Sequence, residues 1–269
     1  MRLAICTLQR NRGPWLKEWV AFHYLVGFRK FFIFTHQTTD QSPSVINSLK
    51  VHFDISAFQI ADSVANPKLG LYHFIYENHN HEFDWIAFLD GDEFLFSPRY
   101  QDIREPLERF TYSKLSALAI YRAHFGSAIQ SATPPAFITD QFRMRAPLNF
   151  SANNSYKSMV MGRQGNQFGL LGNPYGFKTI QGTVDENLLS IETAPRSHDP
   201  SFSMFRINRY SCHHSEQFLY HEGLMMPPGV PSDAVRSTTQ WMALDRNDEL
   251  DQSLQHLTPK LPEIIKYLL

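Results

Sequence analysis

The chain has 269 residues, 43% of them hydrophobic, and a formal net charge of -1. That length and apolar content suit one large core, while a near-neutral balance gives no general attraction to nucleic acid or to an anionic membrane. Two cysteines make no disulfide framework. The first apolar run is too short for a signal peptide, and no stretch approaches the ~20 apolar residues of a membrane helix; a cytoplasmic protein is expected, with peripheral membrane association left open.

In chain order, strands and helices alternate through the first half. Residues 2–8 form a short apolar strand, followed by the polar loop 9–13. Pro14 suits a first helical position, and Trp15, Trp19, Phe22 and Val26 recur at helical spacing until Gly27. Strands over 30–35 and 51–58 enclose a short helix over 45–49. A helix over 66–80 carries Leu69, Tyr72 and Tyr76 on one stripe, and a further strand over 85–89 follows. This alternation implies parallel strands with right-handed crossovers, a nucleotide-type α/β sheet.

The second half is less regular. A surface helix is expected over 103–110 and strands over 115–122, 157–161 and 204–210. Helices follow over 215–222, 237–244 and 262–269. Residues 127–135 are small and polar, and 164–182 are rich in Gly and Asn, a composition typical of binding loops. A single domain is expected, with a regular α/β half over residues 1–122 and a loop-rich half over 123–269.

The organising stretch is WIAFLDGDEFLF, residues 85–96. Its apolar first part reads as a buried strand, and three carboxylates close it. So many acids together must face water, pair with cations or hold a metal. In open α/β sheets ligands bind beyond the carboxyl ends of the strands. Asp90 and Asp92, one residue apart around Gly91, suit a shared divalent ion. Glu93 could instead turn inward to brace a backbone or basic group, and an Asp-Gly turn merely linking two strands is the plain alternative.

The segments ICTLQRNRGPWLKEWVAFHYLVGFRKFFIFTHQTTD, WIAFLDGDEF, YKSMV, VDEN and RINRYSCHHSEQF, in that order, resemble glycosyltransferase family 92 and its bacterial relatives in the family 2-like clan. The resemblance implies a GT-A fold: a Rossmann-like, mixed and mostly parallel sheet flanked by helices. In that fold an Asp-x-Asp motif holds Mn²⁺ or Mg²⁺ against a nucleotide-sugar. It implies metal contact by Asp92 and by Asp90, which could equally meet the ribose. Thr7, Arg10 and Arg12 would lie beneath the nucleotide, though the two arginines could simply be solvated. Asp40 would touch the nucleoside or form a turn, and His23 matches a family helix position but suits a core hydrogen-bonder. Lys157 would neutralise the diphosphate unless solvated. Asp185 and Glu186 are candidates for the base that takes the acceptor hydroxyl proton, with an acidic surface turn as the plain alternative. Arg209 stands where the family carries a His, so either His198, His213 or His214 completes the metal site or Arg209 itself neutralises the phosphates.

The resulting expectation is a metal-dependent, inverting glycosyltransferase. It would move a sugar from a donor, UDP-linked by expectation, to a saccharide or glycoconjugate hydroxyl in polysaccharide biosynthesis. A catalytically impaired nucleotide-sugar-binding relative and a nucleotidyl- or phosphotransferase are the alternatives.

Overall fold

A computed structural model of the protein describes residues 1–65, 67–111, 115–128, 137–162, 169–170, 177–178, 182–191, 199–211 and 238–266. The strands are β1 (Leu3–Gln9), β2 (Lys30–His36), β3 (Asp54–Ile60), β4 (Trp85–Phe88), β5 (Glu93–Phe96), β6 (Ala117–His124), β7 (Met144–Arg145) and β8 (Tyr156–Met161). They continue with β9 (Gly169–Leu170), β10 (Phe177–Lys178), β11 (Thr183–Val184), β12 (Arg206–Arg209) and β13 (Glu249–Leu250). The helices are α1 (Gly13–Leu25), α2 (Ser42–Leu49), α3 (Lys68–His79), α4 (Arg104–Leu107), α5 (Ile138–Gln141), α6 (Thr238–Leu244) and α7 (Leu261–Lys266).

The first four sheet strands pair in parallel in the order β3-β2-β1-β4. β8 then lies antiparallel between β4 and β6, β12 runs parallel to β6, and β5 closes the path antiparallel to β12. The result is the mixed, mostly parallel α/β sheet expected of a GT-A fold. Only residues 89–92 separate β4 from β5, yet three strands of the sheet path lie between them. At ~4.8 Å per strand a flat sheet would put the two ~19 Å apart, beyond the reach of a tight four-residue turn. The sheet therefore curls, and the Asp-Gly turn is a crossing between distant strands rather than a hairpin.

Strand alternation divides the core into two layers. Leu3, Ile5, Trp85 and Ala87 join Leu16, Trp19, Val20 and Phe22 of α1 on one face. Ala4, Cys6, Leu8, Ile86 and Phe88 join Tyr72, Ile75 and Tyr76 of α3 on the other. α7 returns to pack on α1. Pro14 opens α1 as expected, and Gly27 leaves it at φ 117°, where an added Cβ would fall 2.5 Å from Asp102 Oδ1. His23 is a core residue: its Nδ1 meets the Trp19 carbonyl at 2.8 Å and its Nε2 accepts from Leu95 N at 3.2 Å.

The surface helix expected over 103–110 is shorter than expected: α4 passes into a tighter turn at Glu108–Phe110, with Ile103, Leu107 and Phe110 turned into the core and Glu105, Glu108 and Arg109 exposed. The third strand begins three residues later than expected, because 51–53 form the turn that follows α2. Cys6 is a buried free thiol whose pKa burial pushes well up. The helix expected over 215–222 and residues His198, Cys212, His213 and His214 lie outside the described residues.

Candidate active site

The turn after β4 is held from three directions. Asp90 N donates to Glu93 Oε2 at 2.9 Å, and Glu93 N donates back to the Asp90 carbonyl at 3.1 Å. From α1, Trp19 Nε1 donates to the Glu93 carbonyl at 2.9 Å; from the end of β12, Tyr210 N donates to the Asp92 carbonyl at 2.9 Å. Gly91 sits in close contact at the apex: an added Cβ would come 3.1 Å from Gln9 Cδ and 3.4 Å from Arg12 Cγ. This close approach brings the loop after β1 against the acidic turn. Asp90, Asp92 and Glu93 are each 0% exposed.

Buried carboxylates need partners, and here the partners are cations. Lys68 bonds Asp90 Oδ1, and Lys157 Nζ lies 3.0 Å from Asp90 Oδ2 and 3.6 Å from Glu93 Oε2. Arg122 Nη1 meets Glu93 Oε1 at 3.2 Å, so Glu93 turns inward and braces both a backbone amide and a basic group. The pairing of β12 with β5 sets Arg209 opposite Glu93 and leaves its Nε 3.8 Å from Asp92 Oδ2. Arg12 is buried next to them: burial lowers its pKa, while the charges of Asp92 and Asp90 push it back up. His124, beside Arg209 and Arg122, is held neutral by burial and by both arginines. Among the described residues, five buried cations thus gather around these three carboxylates.

The neighbouring strand ends carry polar atoms of a different kind. Thr7 Oγ1, both amide atoms of Gln9 and both ring nitrogens of His36 are buried without a hydrogen-bond partner. Asn11 and Gln37 follow β1 and β2 with φ of 49° and 47°, a backbone region that such residues enter at a cost and that clusters at functional sites. The two loops are tied together: Asn11 Oδ1 accepts from Thr39 N at 2.8 Å, and Arg10 Nη1 donates to Gln37 Oε1 at 2.8 Å. Asp40 does the turn-forming work, accepting from Gly13 N and from Ser42 N, both at 2.9 Å, at the starts of α1 and α2.

Asp185 and Glu186 follow β11 and are engaged by nearby backbone and hydroxyl donors. β11 pairs with Ala117 and Leu118 at the start of β6, away from Arg122 and His124 at its end. Asp185 Oδ1 accepts from Asn187 N and Leu189 N at 2.9 and 3.0 Å. Glu186 accepts from Ser201 Oγ, Ser203 N, Ser203 Oγ, Met204 N and Phe205 N, fixing the segment that leads into β12.

The profile described as "Glycosyltransferase family 92" matches residues 2–170, more than half the chain and including the parallel strands β1 to β4 with the acidic turn. The chain belongs to glycosyltransferase family 92. Curated family 92 relatives include a protein of Oryza sativa subsp. japonica, 23% identical over 163 residues, covering 59% of this chain and 26% of that protein. One of Ricinus communis is 28% identical over 149 residues, covering 54% of this chain and 27% of that protein. The chain thus spans about a quarter of the length of these relatives. Solved structures with a partly similar shape include S. aureus TarS 1-349, at 12% identity and TM-score 0.43, covering 91% of this chain and 70% of that one. Another is the same protein in complex with UDP, at 11% identity and TM-score 0.38, covering 60% and 47%.

Within this family 92 site, the donor set can be weighed against the expected metal. Both oxygens of Asp90 already meet lysine ammonium groups, and Asp92 is flanked by guanidinium groups. Among the described residues no group of three or more His, Cys, Asp or Glu side chains could hold a metal ion. Among the described residues, the set around Asp90 does not fit Mn²⁺ or Mg²⁺. Lys68 and Arg122 were missed in the sequence, although each leaves a trace there. Lys68 falls four residues before Tyr72 and eight before Tyr76, on the buried stripe of α3, and Arg122 alternates with the core residues Leu118 and Ile120 of β6.

Proposed function

We propose that this chain is the donor-binding and transfer domain of a glycosyltransferase that uses a nucleotide-sugar, with UDP as the expected nucleotide. The convergence of Arg12, Lys68, Lys157 and Arg209 on the acidic turn beyond β1 and β4 carries this reading, because it sets cations suited to a diphosphate at the strand edge where α/β sheets bind ligands. The unpartnered atoms of Thr7, Gln9 and His36 at the same edge are a second support, because buried polar groups are otherwise satisfied.

In this reading Arg12, Lys68, Lys157 and Arg209 hold the diphosphate and offset the charge that grows on it as the glycosidic bond breaks. Glu93 and Arg122 keep the lysines and the turn in place. The acceptor, a saccharide or glycoconjugate hydroxyl, enters from the half comprising residues 123–269, and transfer proceeds with inversion. Thermal-shift measurements with UDP, GDP and CDP test it, followed by assay of UDP release from UDP-sugars in the presence of saccharide acceptors. Stabilisation by one nucleoside diphosphate together with acceptor-dependent UDP release supports the reading; stabilisation by none removes it. The engagement of Glu186 by five donors favours one second reading, a nucleotide-sugar-binding relative without turnover, which binding without UDP release would select.

A further inference from the structure

We infer that this protein binds its diphosphate group with fixed side-chain cations in place of a divalent metal, and that Asp90 and Asp92 hold those cations. The inference rests on the nucleotide-sugar reading above and concerns how the same site is charged. The oxygens of a metal-binding aspartate lie about 2.0–2.6 Å from the ion. At Asp90 that space is taken on Oδ1 by Lys68 and on Oδ2 by Lys157, both almost completely buried. A metal ion at Asp90 would have to displace two buried ammonium groups from its carboxylate oxygens.

The anchoring is arranged for permanence. Lys157 is shared between Asp90 and Glu93, and Glu93 is itself fixed by Arg122 and by the Asp90 amide. Lys68 is carried by α3 and Lys157 by β8, from elements on either side of β4. Arg209 is set by the β12–β5 register, and Arg12 by the loop packed on Gly91. Four cations converging from four elements make a preformed anion cradle. Arginine suits it through its planar fork and lysine through its compact charge.

The test is calorimetric binding of UDP to the full chain, once with EDTA and once with added Mn²⁺. The expected result is binding in EDTA with an affinity within about threefold of that in Mn²⁺. UDP binding that appears only with metal overturns the inference and leaves the nucleotide-sugar reading standing. Absence of UDP binding under both conditions overturns the two together. A second arm uses Asp92→Asn, with folding checked by circular dichroism. If the carboxylate serves only to hold cations, this variant binds UDP in EDTA at least as tightly as the wild type. If it ligates a metal, Mn²⁺-supported affinity falls roughly tenfold or more. Should Asp92→Asn misfold, the wild-type pair of measurements decides alone.

Discussion

Two buried acidic groups in this molecule are satisfied in opposite ways. At 90–93 the carboxylates are matched by side-chain cations from α3, β6, β8, β12 and the loop after β1. At Glu186 the carboxylate is matched by backbone amides and serine hydroxyls of one nearby segment. Donors of the second kind carry no net charge and fix a loop. The first kind gathers charged partners of the sort that also bind phosphates. Buried acid alone therefore does not mark a site here; the charge of its partners does. Glu18 is a third case: it lies beneath α5, accepts from Ile138 N, Thr139 N and Thr139 Oγ1, and is raised to about 7 because burial outweighs those bonds.

The strongest challenge to the contrast is Asp90→Ala. Removing it takes from Lys68 and Lys157 the buried carboxylate they share, leaving Lys157 with Glu93, and unfolding in urea should show a loss of about 3–5 kcal/mol. A loss near zero would mean that the lysines are not held as described. Next comes the pH dependence attached to Glu18. Its folded pKa of about 7 lies above the ordinary 4.5, so the protonated form favours the folded state. That contribution is complete below pH 4.5 and disappears as pH rises through 7, by on the order of 3 kcal/mol. Comparing urea midpoints of the wild type and Glu18→Gln across pH 4–8 isolates it from other titrations; parallel curves would refute it.

Glu186→Gln should cost about 2 kcal/mol, since an amide cannot accept from five donors. If instead stability is retained and sugar transfer vanishes, Glu186 is the base and the contrast fails. The smallest effect is expected from Lys68→Met on UDP binding, a weakening of about tenfold, or ~1.4 kcal/mol, against no change for Asp185→Asn. Equal losses in both would erase the distinction between the two acidic regions.

Much of the frame was legible in the sequence because it depends on local patterning. The runs at 2–8, 30–35 and 85–89 and the stripe of Trp19 and Phe22 dictate a parallel sheet with α1 on one face, and residue order alone revealed the family. Asp90 and Asp92 could be singled out because charge beside an apolar strand is costly and calls for a reason, whereas Arg12, Lys157 and Arg209 were marked by the family resemblance. Tertiary structure alone decided which charges meet. Lys68 reaches Asp90 from a helix 22 residues earlier, Arg209 reaches Asp92 through a strand register, and β5 leaves β4 for the far end of a curled sheet. Pairing of this kind depends on distances across elements, which spacing along a chain does not encode, and so the sequence shows that the acids need partners while the fold decides that those partners are cations.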